Sequence, residues 1–389
     1  MRDRDDMTFS MQEHARRLSD LRTRMAERRI DVAVITDPEN LCYLTEYQTT
    51  GYSYFQCLVV PLEGEPFMIT RRLEETNVHA RTWVEATRPY SDTGDAIETL
   101  WHALKEFELD HKTIGYERNS YFFPAYQQDR MRSTFLDTRF VDIFGIVEEG
   151  RVVKSEEEIA VMRKAAAATE AGMAAGLAAV QPGVSENEIA AEICSAMFKA
   201  GGEYPAVLPY VTSGPRTLIG HATWEGRKVQ ENEVVFLEIG GCYRRYHTAM
   251  MRTVFTGEPP QAMRDATSIV QEARAALLEQ IRPGMTAGEI DQLNQRIINN
   301  NHLGGYLITR AGYSIGIAFP PSWDEGYILS LKSGERTHLR PNMTLHLLPW
   351  IYGVDEQYLV GMSETIRVTE DGCESFFGKP EAELVTMAA

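Results

Sequence analysis

The sequence predicts an α/β (α+β) protein of two domains, residues 1–153 and 154–389. Three observations carry this prediction. Strand-like apolar runs alternate with helical spacing through the first domain. At Lys154-Ser155 the pattern changes to long, Ala-rich helices. One segment of the second domain then occurs twice, which points to a duplicated ααβ unit.

In the first domain, residues 12–29 place apolar or small side chains at helical spacing on a charged background. Residues 30–36 follow as a short strand, and further strands are expected at 56–61, 66–70, 113–116 and 140–143. Asp37-Pro38, Gly64 and Asp92-Thr93-Gly94 lie between them and read as turns. Gly tolerates positive φ, Pro presets its own φ, and Asp bonds its local backbone. A smaller mixed α/β domain results.

In the second domain, Ser155 with Glu158 forms a capping-box pattern ahead of a helix reaching about Val180. Gln181-Pro182-Gly183 stops that helix, and Ser185 with Glu188 starts another through about Lys199. Residues 180–189 are echoed at 281–290. In both copies a long helix precedes Pro-Gly, and Ser or Thr then caps a new helix with Glu three residues later. Strand-like residues follow each helix pair, at 234–239 and 344–348. The copies stand too far apart for a solenoid. Helices covering a sheet built from two similar halves are therefore expected.

Of the 389 residues, 43% are hydrophobic and 24% charged, which excludes disordered and fibrous classes. Lys and Arg number 39 against 56 Asp and Glu, a formal charge of −17. Such a surface repels phosphate backbones and anionic lipid, so neither nucleic acid nor membrane is expected as a partner. Cys42, Cys57, Cys194, Cys242 and Cys373 form no CxxC pair, so a zinc ribbon has no support. The charged start lacks an apolar core segment and does not read as a secretory signal. A reduced, cytoplasmic setting is the expectation.

Residues 238–253 read Glu-Ile-Gly-Gly-Cys-Tyr-Arg-Arg-Tyr-His-Thr-Ala-Met-Met-Arg-Thr. This stretch resembles the signature strand pair of the pita-bread family, which holds methionine aminopeptidase, aminopeptidase P, prolidase and creatinase. Ser213-Gly214-Pro215, Gly220-His221, residues 312–316, 348–352 and 365–369 continue the resemblance in order. It covers residues 154–389, and the first domain more weakly. It implies a pita-bread catalytic domain behind a creatinase-type N-terminal domain, and a homodimer.

The departures from the family bear on function. Its metallopeptidases hold two divalent ions with two Asp, one His and two Glu. At the matching positions this chain has Glu238, Ala249, Tyr313, Leu348 and Ser363, with Glu364 one residue late. Alanine and leucine supply no ligand atom, so the expectation is no metal and no cofactor. His221 stands where the family keeps a catalytic His, and Glu238 where the strand faces the former metal site. Tyr246, Thr248, Ala249, Arg252 and Thr253 match the form of creatinase, a metal-free relative. Glu238 sits in an apolar strand, where an unpaired carboxylate is costly. A structural salt bridge, with Arg252 for example, is the bland alternative.

Without metal, an unactivated amide is hard to cleave because nothing polarises its carbonyl. A cationic amidine or guanidine already carries positive charge on the carbon to be attacked. Glu238 would hold that cation and act as nucleophile or as base toward water, while His221 shuttles protons. Residues 312–323, with Pro320 where the peptidases keep a second His, are similar to the ectoine hydrolases. These metal-free members open a cyclic amidine to an N-acetyl-diaminobutyrate. The resemblance thus implies hydrolysis of a small zwitterionic substrate at a C–N bond. Tyr52, Phe55, Tyr246, Tyr313, Trp323, Arg252 and Glu364 are the candidate substrate-binding residues. Tyr52 and Phe55 belong to an aromatic segment that, in creatinase-like dimers, reaches the neighbour's site. Arg71, Arg72 and Arg310 stay open as the partner of the substrate carboxylate. Three other readings stay open too: a creatine-type amidinohydrolase, an Xaa-Pro peptidase and a non-catalytic peptide-binding relative.

Overall fold

The computed structural model describes residues 1–378 and 385–387. Its chain divides into two compact units, Met1–Arg151 and Val152–Ala389.

The first unit starts with the helix Met11–Glu27, capped by Ser10, whose hydroxyl accepts the Glu13 N–H. The chain then enters Val32–Ile35, a fully buried central strand. It pairs antiparallel with Cys57–Pro61 and parallel with Thr113–Tyr116. Phe67–Ile69 and Ala86–Thr87 extend one side of the sheet and Arg139–Asp142 the other. Asp37-Pro38 departs from the expected turn. Pro38 opens the helix Pro38–Thr45, where its missing N–H costs nothing. Glu117, just past the neighbouring strand, accepts the N–H groups of Thr36 and Asp37 and so fixes the residues that lead into the helix.

In the second unit all three sequence-level capping boxes form. Ser155 and Glu158 start Glu156–Ala179, Ser185 and Glu188 start Glu186–Lys199, and Thr286 and Glu289 start Ala287–Asn299. Gln261–Gln280 is the long helix of the second copy. The two copies also share a backbone device. Gly183 and Gly284 both take φ +89°, a conformation that L side chains rarely adopt. Gly183 donates its N–H to Val229 and Gly284 to Leu339, while Ser185 bridges Lys228 and Thr286 bridges His338. Each copy then delivers a strand, Val234–Tyr243 or Thr344–Leu347. The first lies between Tyr210–Ser213 and Tyr246–Thr256. The second lies between Gly312–Ser314 and Glu364–Val368. No helix among the described residues is long and apolar enough to cross a membrane.

Candidate active site

Glu238 lies mid-strand in Val234–Tyr243, directly opposite Tyr210 on one side and Met251 on the other. Directly opposed residues share a face of the sheet, and so do residues two apart on one strand. Gly240 and its opposite Ala249 therefore lie on the Glu238 face. The missing side chain of Gly240 admits an indole: a Cβ there would stand 2.7 Å from Trp323. The Trp323 ring meets Tyr210 edge-on at 6.0 Å, and Tyr210 lies 5.7 Å from the His221 ring.

Glu238 is half-buried, and no hydrogen bond or ion pair reaches its carboxylate among the described residues. Loss of water alone pushes its pKa up to about 7. Its charge is felt by both neighbouring phenols. Burial and then Glu238 raise the pKa of Tyr210, and the same two causes, in the same order, raise that of Tyr313 well above the usual phenol value.

Tyr313 belongs to a buried polar chain. The Trp323 indole N–H donates to its hydroxyl at 3.0 Å. His346 Nδ1 lies 3.0 Å from the same oxygen, and its Nε2 lies 2.7 Å from Ser363 Oγ. Ser363 Oγ also accepts the Met251 N–H at 2.7 Å. Burial holds the His346 pKa down to about 3, so the imidazole is neutral. The Arg310 guanidinium lies 4.8 Å from the centre of the Tyr313 ring and pairs with Asp324.

The residues expected from the sequence fall into four groups. Glu238, Tyr313 and Trp323 converge, and His221 adjoins them through the Tyr210 ring. His221 is exposed, with φ +56°, and makes no hydrogen bond to Glu238. Arg252 and Glu364 pair with each other at 3.2 Å, and Arg274 and Ser375 complete the Glu364 carboxylate. A salt bridge thus exists, but its acid is Glu364 and not Glu238. Tyr246 is fully buried and donates to Glu158. In the first unit, Phe55 is a core side chain, and Tyr52, in the turn Thr50–Ser53, packs edge-on against Phe122. Tyr210, His346 and the use made of Ser363 were not evident from the sequence, because each depends on strand pairing.

The residues present do not fit a dinuclear metal centre. Ala249 and Leu348 carry no donor, and the hydroxyls of Tyr313 and Ser363 are taken up around a neutral imidazole. Among the described residues, the acidic group close enough to share an ion is Asp37, Glu117 and Glu148, in the first unit. There Glu117 is already bound by Thr36, Asp37 and Asn40 at the entry to the helix.

Comparison with known proteins gives a consistent result. Residues 160–370 match Metallopeptidase family M24, and residues 17–153 match the Creatinase/Prolidase N-terminal domain. The ectoine hydrolase of Halomonas elongata is 31% identical, over 97% of this chain and 98% of that protein. The Xaa-Pro dipeptidase of Pyrococcus furiosus is 25% identical, over 95% and 99%. Among solved structures, dipeptidase PepE from Mycobacterium ulcerans superimposes with a TM-score of 0.82 at 25% identity, covering 98% of this chain and all of that one. A prolidase from Thermococcus sibiricus gives a TM-score of 0.86 at 22% identity, over 97% and 100%, and so shares the fold. With a creatinase-type domain preceding a two-halved catalytic domain of this architecture, the chain belongs to metallopeptidase family M24, the pita-bread hydrolases.

Proposed function

We propose that this chain is a metal-independent hydrolase that opens a cyclic amidine, with ectoine as substrate. The observation that carries the reading is Glu238: a carboxylate without a protein partner, set among the rings of Tyr210, Tyr313 and Trp323. An unpartnered carboxylate in such a place is costly, and a cation offsets the cost. A planar amidinium supplies the charge and N–H donors for Glu238, together with a face for the aromatic rings.

Binding the cation returns Glu238 to its ionised form and places an oxygen against the electron-poor carbon between the two nitrogens. Glu238 attacks that carbon, or takes a proton from a water that does; a C–O bond forms and the ring C–N bond breaks. The departing nitrogen takes up a proton, for which the exposed imidazole of His221, beside the Tyr210 ring, is the candidate donor. Water supplies the oxygen of the final amide. The likeness to the Halomonas elongata enzyme supports ectoine over an acyclic guanidine.

The test is a proton NMR time course of chelator-treated protein with ectoine. Ring opening at an undiminished rate supports substrate and metal independence together. Cleavage of an Xaa-Pro dipeptide only after manganese addition would return the chain to the peptidases. Turnover of creatine but not ectoine would shift the substrate and keep the chemistry.

A further inference from the structure

We propose that Tyr313, His346 and Ser363 form a fixed hydrogen-bond relay that turns the Tyr313 hydroxyl proton toward Glu238 and the bound substrate, with His346 as a positioning residue.

Two arrangements fit the heavy atoms. In the first, His346 carries its proton on Nδ1 and donates to Tyr313 Oη, while the Ser363 hydroxyl donates to the bare Nε2. In the second, Tyr313 donates to Nδ1, and Nε2–H donates to Ser363. Trp323 N–H and Met251 N–H are donors only, so they occupy acceptor sites on Tyr313 and Ser363 in either case. One hydroxyl hydrogen is then left over, and the arrangement decides which one. In the second arrangement it belongs to Ser363, which is fully buried and whose hydroxyl has no hydrogen-bond partner among the described residues beyond Met251 N–H and His346. In the first it belongs to Tyr313, which retains 8% exposure and whose hydroxyl is held by Trp323, the ring packed over Gly240 on the Glu238 face of the sheet. An unsatisfied hydrogen is costly in a dry core and is drawn toward a carboxylate at a site. The first arrangement wins. The neutrality of His346 agrees, since an imidazolium would donate from both nitrogens.

The consequence rests on the amidine reading of the site. A ground-state amidinium has N–H donors and no nitrogen lone pair, so Tyr313 has nothing on its nitrogens to donate to. Once the carbon becomes tetrahedral, the departing nitrogen gains a lone pair, and the Tyr313 proton then has an acceptor. The contact exists in the transition state and not before, so it acts on kcat rather than on KM.

Two measurements test this. Histidine-selective nitrogen-15 labelling, with His346→Gln to assign the signal, is expected to show His346 neutral and protonated on Nδ1. An Nε2–H tautomer or an imidazolium at neutral pH overturns the relay, whatever the activity. In kinetics with ectoine, Tyr313→Phe is expected to lower kcat about a hundredfold with KM changed less than about threefold. His346→Leu should lower kcat by about tenfold or more. His346→Gln, whose amide can both donate and accept, should recover most of that loss. Wild-type kcat in Tyr313→Phe, or a loss confined to KM, overturns the proposal. An Nδ1–H tautomer in a protein that opens no cyclic amidine would support the relay and sink the ring-opening reading alone. Thermal melting shows whether each variant is folded.

Discussion

Val229 and Leu339 receive equivalent backbone bonds in the two halves of the second unit, and each half enters its strand five residues later, at Val234 and Thr344. The same step carried forward makes Leu348 the counterpart of Glu238. The scaffold therefore repeats where the chemistry does not. Capping boxes and left-handed glycines hold each copy through backbone groups and the side chains at the helix starts, so they place no demand on what the strands present. One half kept a carboxylate. The other carries a leucine and, close by, the neutral His346 chain. A site with one negative charge suits one small cation, whereas paired carboxylates suit a dication.

Experiments can break or sharpen this contrast. The largest effect is expected where the first half is made like the second. Glu238→Ala should lower ring opening more than about a thousandfold with no loss of melting temperature, by proton NMR and calorimetry. Normal turnover in that variant would end the mechanism. The Arg252–Glu364 pair, by contrast, should matter for the fold. Glu364→Gln leaves two guanidinium groups with a weakened partner and is expected to cost about 3–5 kcal/mol in denaturant unfolding. A KM change without destabilisation would return Glu364 to the substrate. Making the second half like the first, by Leu348→Glu, buries a charge at a position only 7% exposed. A loss of about 2–4 kcal/mol is expected, larger at pH 8 than at pH 5.

The smallest effect concerns Glu238 itself. Its folded pKa of about 7 exceeds the ordinary 4.5, so the native state holds its proton more tightly than the unfolded chain. Between those values stability must fall as pH rises. Glu238→Gln removes this penalty and should stabilise the protein by about 1–2 kcal/mol at pH 8 and by nothing at pH 4. Stability that rose with pH in the wild type alone would contradict the assignment. In the same range kcat/KM should climb, because the free enzyme must lose that proton to receive a cation.

Much of the fold was legible because its signals are local. Ser155 and Glu158, or Thr286 and Glu289, are three residues apart and announce a helix start without reference to anything distant. Pro38 misled because the residues leading into its helix are held by Glu117, from far along the chain. The site divides in the same way. Glu238 stood out as an acid in an apolar strand. His346 did not, since its meaning arises only when Thr344–Leu347 pairs with both Gly312–Ser314 and Glu364–Val368. Arg252 looked like a substrate ligand for the same reason: Glu364, its true partner, is brought in by tertiary structure.

The indole over Gly240 has a historical consequence. Restoring metal ligands to such a chain would take more than new carboxylates, since Trp323 packs on the face that Ala249 shares and is tied to Tyr313. A lone aspartate at 249 would enter a crowded, buried place on the face that already holds Glu238, with no ion to neutralise the pair. Each single substitution toward a metal centre thus carries a cost of its own, and the packing of Trp323 on Gly240 opposes such a change made one residue at a time.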